Sequence, residues 1–293
     1  MSETGSTLPR RQLGRYLRDL RTQTGMTIPQ VAKLIERSPS TLQRLEKGES
    51  GRIRMVDIRE LCKVLDADET MTAALIGLAQ QANVKSWWHE FGNLIPNDFD
   101  VYLGLESSAV QLNSYSPDAV IGLLQHPDYA RVLIRAVHPA IGVEELDQRI
   151  HLKQRRQTLI TRKRGAARLE VVLGEAALRR VVGNGKIMAR QLKHLADTGT
   201  LPNVSIRVLP YSAGIPLGDP LGLFTILSFG ADAKGQDVEP PVVYLENFTG
   251  DMYLEKQADV QRYYEAHKQL QHAALDEKAS RDLFRQVARE HCA

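Results

Sequence analysis

Thr27-Ile-Pro-Gln-Val-Ala-Lys-Leu-Ile-Glu-Arg-Ser-Pro-Ser-Thr-Leu-Gln-Arg-Leu-Glu-Lys-Gly48 decides the fold of the first part of the chain. Thr27 is a helix N-cap residue, and Pro29 is tolerated because it falls in the first turn. Val31, Ala32 and Ile35 then recur on one face. Ser38 caps a second short helix, with Pro39 near its first position, Leu42 and Leu45 inward and Gly48 as terminator. Two helices joined by so tight a turn must cross closely, and the small Ala32 permits it. Val31, Ile35, Leu42 and Leu45 supply a minicore. The second helix is left presenting Ser38, Pro39, Ser40, Thr41, Gln43 and Arg44, and a helix of this size fits a DNA major groove with its N-terminal residues nearest the base edges.

Residues 9–24 read as a helix, with Pro9 in its first turn, Leu13, Tyr16, Leu17 and Leu20 at helical spacing, and Gly25 stopping it. Further helices are predicted over 55–66 and 69–83. Residues 8–83 therefore form an all-α domain of five helices. Charge divides unevenly along the chain. Residues 1–54 hold 11 Lys and Arg against 5 acids, whereas the rest holds 27 against 30. A basic head on a slightly acidic body is the pattern of a chain whose one end meets a polyanion.

The 293 residues suit two domains, and 43% hydrophobic with 25% charged residues is ordinary for a globular protein. No apolar run approaches the roughly 20 residues of a membrane span. Met1 to Arg11 is polar and basic without an apolar core, so no secretory signal is expected. Cys62 and Cys292 lie far apart and argue against a disulfide framework or a cysteine zinc site. A cytoplasmic location, without membrane contact, is the expectation.

A second domain is predicted over 87–293, opening on Trp87-Trp88, which read as packing residues. Residues 99–114, 127–137 and 144–163 look helical. From 169 the period shifts towards two: Leu169–Leu173, Val204–Leu209, Leu223–Phe229 and Val242–Glu246 read as strands, with a helix at 186–197. Helix returns at 256–274 and 279–290, and Ala231–Pro241 reads as a loop. The fold class expected is α+β, a five-helix domain followed by a larger mixed α/β domain with a small sheet.

Catalytic signals are absent from this half. His151-Leu-Lys153 matches a phosphodiesterase-like His-x-Lys, but it falls in a predicted helix and has no second copy. His267 and His272 are five apart, a poor metal pair that reads as a solvated face. Glu106, Glu175 and Glu246 are isolated acids, and Gly183-Asn-Gly185 is a turn, with no phosphate-binding loop anywhere. No enzyme activity, metal or cofactor is expected.

The stretch Ser38-Pro-Ser-Thr-Leu-Gln-Arg-Leu-Glu-Lys-Gly48, within residues 10–80, resembles the phage-repressor-like helix-turn-helix proteins called the XRE family. The resemblance implies base reading by Pro39, Ser40 and Arg44. Thr41 and Gln43 would meet a base or a phosphate, and Thr27, Arg52 and Arg54 would hold phosphates. Gln30 and Lys47 complete the DNA-facing set. This sequence departs from the family at Ile28, where Gln is frequent, and at Glu36-Arg37, where Gly and an apolar residue are frequent. Glu36 predicts a looser turn, or one without a left-handed residue.

Residues 87 to about 275 resemble a domain of unknown function that follows such modules in actinobacterial regulators, including WhiJ-like and antitoxin-like proteins. The resemblance rests on Trp87-Trp88, Leu105-Glu-Ser-Ser-Ala109, Val120-Ile-Gly-Leu-Leu-Gln-His-Pro-Asp-Tyr-Ala-Arg131, Arg155-Arg-Gln157, Gly174-Glu-Ala-Ala-Leu178, Gln191-Leu192, Val204 to Pro210 and Val243-Tyr-Leu-Glu246. His126 stands where a small polar residue is frequent. The resemblance implies a small acidic protein partner encoded by a neighbouring gene. The expectation is a sequence-specific regulator of transcription that binds double-stranded DNA as a homodimer and senses a small protein or ligand. The alternative is an antitoxin-like module that sequesters a small protein and autoregulates its operon.

Overall fold

The computed structural model describes residues 7–84, 86–95, 97–231 and 237–292. The chain divides into two compact units, Met1–Ser108 and Ala109–Ala293. The architecture is α+β, helices first and a mixed α/β unit after them.

The first unit contains α1 (Thr7–Gln23), α2 (Ile28–Leu34), α3 (Pro39–Glu46), α4 (Met55–Val64) and α5 (Glu69–Ala82). A 3₁₀ segment, Trp87–Leu94, and α6 (Asn97–Ser108) follow. Leu13, Leu17, Val31, Ala32, Leu42, Ile58, Leu61 and Leu75 form its core. Trp88 is buried, and its indole N–H donates to Asp100.

The second unit carries β1 (Gln111–Ser116), α7 (Pro127–Val137), α8 (Val143–Thr161), β2 (Arg168–Gly174), α9 (Ala176–Arg179), α10 (Gly185–Thr198), β3 (Val204–Leu209), β4 (Phe224–Ser228), β5 (Val242–Leu245), β6 (Met252–Leu254), α11 (Gln257–Ala273) and α12 (Glu277–Glu290). The sheet runs β3-β2-β1-β4-β5-β6. β1, β2 and β3 are parallel, whereas β4, β5 and β6 join antiparallel. Parallel neighbours need helical crossovers, here α7 with α8 and then α9 with α10. The outer edge of β3 is covered: Val208 N–H donates to Ser280 Oγ at 3.0 Å, and Leu275 N–H donates to Val208 O at 2.8 Å.

Two local readings need correcting, the helix over 99–114 and the solvated His267. The helix expected over 99–114 stops at Ser108, and Gln111–Ser116 is the central strand β1. Its polar side chains hid it: Asn113 Nδ2 donates to Glu170 at 3.1 Å and Ser114 Oγ meets Thr225 Oγ1 at 2.9 Å. Three-residue β6 at the edge carries too short a pattern to read. His267 is buried at 2% exposure, edge-on to Phe224, and does not lie on a solvated face. His126 replaces a small polar residue by doing a cap's work, its Nδ1 accepting the Asp128 N–H at 3.2 Å. Within the Ala231–Pro241 loop, Ala231 bridges Asp237, and 232–236 lie outside the described residues.

Two histidines make this unit sensitive to acid. Burial lowers the His267 pKa, with the Glu170 charge opposing, and burial followed by the nearby His126 lowers that of His194. Below the unfolded value of about 6.5 the unfolded chain takes up protons that the folded chain refuses, so stability falls as pH drops. Each histidine contributes up to about 1.4 kcal/mol per pH unit in that window. Urea midpoints at a series of pH values from neutral to mildly acidic should therefore decline, and His194→Gln should flatten the decline; an unchanged slope in that variant would refute the assignment.

Candidate nucleic-acid interface

Each helix of the helix-turn-helix is started by its own side chains. Thr27 and Gln30 form a capping box on α2: Thr27 N–H donates to Gln30 Oε1 at 2.8 Å, and Gln30 N–H donates to Thr27 Oγ1 at 3.4 Å. The Thr27 hydroxyl also donates to Gln30 Oε1, at 2.9 Å. Ser38 Oγ accepts the Thr41 N–H at 3.2 Å and lies 3.0 Å from Ser40 Oγ and 2.8 Å from Thr41 Oγ1. Three hydroxyls thus gather at the N-terminus of α3.

The turn corrects another reading. Glu36 adopts φ +53°, so the left-handed residue is present. Arg37 N–H donates to Ala32 O at 2.8 Å and Glu36 N–H to Lys33 O at 3.2 Å, the paired bonds of a Schellman ending. α1 and α3 end the same way at Gly25 and Gly48, and α4 does so at Asp66. Arg37 then grips Asp57 of α4 through two bonds of 3.0 and 2.8 Å, which hold its guanidinium above its ordinary pKa.

What aims α3 is a buried carboxylate. Glu46 is 4% exposed and takes Arg21 Nε at 2.6 Å and Nη2 at 2.9 Å. Arg21 also donates to Met26 O at 2.9 Å, and Arg18 donates to Glu46 O at 2.7 Å. The Glu46 hydrogen bond raises the Arg21 pKa against the pull of its own burial. α1 comes so near that a Cβ on Gly14 would lie 2.5 Å from Leu45 O and 2.6 Å from Glu46 O. With Leu42, Leu45 and Glu46 turned inward, Ser40, Gln43, Arg44 and Lys47 are turned out and exposed.

The loop after α3 is pinned from within. Ile53 is buried, its N–H donating to Asn83 Oδ1 at 2.9 Å and its carbonyl accepting from Asn83 Nδ2 at 2.7 Å. Arg10 donates to Ala82 O at 3.2 Å and to Ser50 O at 2.5 Å. Burial lowers the Arg10 pKa, opposed by the Asp100 charge. Arg52 and Arg54 stand exposed on this fixed loop.

Every residue expected to face DNA is exposed except Thr41, which is half-buried. Ser38, Pro39, Ser40, Thr41, Gln43, Arg44 and Lys47 share α3 and its ends. Thr27 and Gln30 sit apart, at the start of α2, and the capping box engages the Gln30 carbonyl oxygen. Of the 11 bases counted in residues 1–54, Arg10, Arg18, Arg21 and Arg37 bind protein groups. Lys33, Arg44, Lys47, Arg52 and Arg54 have no partner among the described residues. Sequence reasoning missed Gly14, Arg21 and Glu46. The available signal is a lone acid between Leu45 and Lys47, with Arg18 and Arg21 one turn apart on α1.

These features define a helix-turn-helix protein, the class of domain through which transcription regulators bind DNA. A helix-turn-helix domain family matches residues 12–75. The chain belongs to the family described as Domain of unknown function (DUF5753), which matches residues 99–286, more than half of its length. No curated protein matches the chain. Among the described residues, no helix is long and apolar enough to cross a membrane.

Glu46→Ala should cost the first unit about 3 kcal/mol, because it leaves Arg21 without its buried partner. Urea unfolding of the full chain with exchange-protected amides of α3 as reporter measures this, and a loss under a few tenths would show that α3 is held otherwise. Glu36→Gly should stabilise the same unit by about 0.5–1 kcal/mol, since glycine adopts the left-handed turn without a Cβ penalty. A thermal midpoint that falls would contradict the turn geometry.

Proposed function

We propose that the protein is a sequence-specific, DNA-binding regulator of transcription of the phage-repressor-like XRE type, acting in the cytoplasm. The observation that carries this reading is the outward face of α3, where Ser40, Gln43, Arg44 and Lys47 are exposed and both cations lack protein partners among the described residues. Arg44 is assigned the base contact, since its fork matches guanine O6 and N7. Ser40 and Pro39 lie beside it, Pro39 offering only apolar contact. Ser38, Thr41 and Gln43 are assigned to bases or phosphates at the helix start. Thr27, Gln30, Lys47, Arg52 and Arg54 are assigned to phosphates.

DNA binding belongs, on this reading, to residues 8–83. The chain from 87 onward dimerises and takes an input from a small protein or a ligand. One such module reads a half-site, so a homodimer doubles the contact and fixes half-site spacing. No catalytic role is assigned.

Arg44→Ala should lower affinity for the cognate operator by about 1–3 kcal/mol and relax preference at one base position. Equal loss on every sequence would move Arg44 to the phosphates. Arg52→Ala should weaken binding to all sequences alike and reduce the slope of log K against log salt by about 0.9 per monomer. Mobility shifts across a salt series measure both, and an Arg52→Ala slope equal to wild type would take that residue off the DNA.

A further inference from the structure

At one end of the sheet in the second unit lies an open cavity of about 710 Å³, beside the first residues of β2 and β3 and the start of α12. Pockets that hold small organic ligands run from roughly 300 to 1,000 Å³. The donors offered to a ligand here are of one kind. Thr200 spends its hydroxyl proton on Asp197 O at 2.7 Å, and Asn203 Nδ2 is committed to Ile160 O and Ala167 O at 3.0 and 2.8 Å. Ser205 spends its own proton on Oε1 of Glu277, the carboxylate in the lining, at 2.6 Å. The side-chain donors that remain are two guanidiniums, Arg168 from β2 and Arg281 from α12.

Each arginine is braced at one nitrogen. Arg168 Nη2 meets Glu170 Oε1 at 2.7 Å, and Arg281 Nη1 donates to Gly199 O at 3.1 Å. Neither has a further partner among the described residues, so most of their N–H groups remain available. Leu201 and Pro202 supply an apolar wall. The sequence has no glycine-rich phosphate loop, so an anion here would be read by arginine forks, whose geometry suits phosphate oxygens.

We propose that this cavity binds a small phosphate-bearing organic anion of nucleotide size. Arg168 and Arg281 hold its phosphate, and its organic body lies against Leu201 and Pro202. Such a ligand would be the input assigned above to this part of the chain, and the proposal rests on that reading only for the link from binding to DNA.

Calorimetry on the full chain with AMP and with inorganic phosphate tests it. AMP should bind saturably, at least about tenfold tighter than phosphate, and the Arg168→Gln/Arg281→Gln double variant should lose about tenfold or more in affinity for both. Both arginines have polar, solvent-reaching side chains, and an unchanged circular dichroism spectrum confirms that the variant folds. Absence of saturable heat with either probe up to about 10 mM, AMP no tighter than phosphate, or equal affinity in the variant would overturn the site. A mobility shift with and without AMP separates the two readings: binding with unchanged DNA affinity would end the input role alone.

Discussion

The carboxylate of Glu46, closed between α1 and α3 and held by Nε and Nη2 of Arg21, is the contact on which the first unit turns. Apolar contacts at Leu42 and Leu45 keep α3 against its neighbours but say little about its rotation, because burial is non-directional. A bidentate carboxylate pair is directional. It fixes the azimuth of α3 at its C-terminal end while Ser38 fixes the first turn. Gly14 and Gly48 let the α1 and α3 backbones approach so closely that no other residue type fits without a shift: a Cβ on Gly48 would fall 2.9 Å from Arg11 Cα. The outward stripe of Ser40, Gln43, Arg44 and Lys47 follows from that inward set.

The same clamp changes what the basic head means. A count of charges treats every arginine near the N-terminus as available to a polyanion. In the folded unit, Arg10 is spent on two carbonyls, Arg18 on a carbonyl and Arg21 and Arg37 on carboxylates. Their role is to set the loop after α3 and the ends of α2 and α3. The cations that remain lie on the α2 surface, on α3 and on the loop after it. The cations with N–H groups left to offer are therefore fewer than composition implies, and they sit on the elements that a groove-reading helix would bring to the backbone of a duplex.

Two helix starts are legible because caps are local: Thr27 and Ser38 each declare a helix with one side chain. The two-domain order, the five helices and four of the six strands were equally visible through period and turn residues. Glu36 was misread because a Schellman ending is demanded by the geometry of the following helix, and a non-glycine residue accepts the left-handed conformation when tertiary contacts such as Arg37–Asp57 over-determine it. Glu46 escaped because nothing in a single helix distinguishes a buried acid from a surface one. The distinguishing partner is 25 residues away in sequence. The burial of His267 is hidden for the same reason. Its burial is a property of the sheet face beneath α11 and not of its own neighbours in the chain.

β1 shows the limit most clearly. Periodicity arguments assume that a central strand is apolar, yet this one reads Gln-Leu-Asn-Ser-Tyr-Ser and sits between a parallel and an antiparallel neighbour. Alternation sends Asn113 and Ser114 to opposite faces. Asn113 bonds its direct partner Glu170 on β2, and Ser114 bonds its direct partner Thr225 on β4. Sliding β1 by one residue would turn both side chains to the wrong face and leave buried polar groups unpaired, each costing about 1–3 kcal/mol. An apolar β1 would have been easier to recognise and less particular about its alignment. The polar pairs that concealed the strand are therefore what hold the parallel and antiparallel halves of the sheet in a single register.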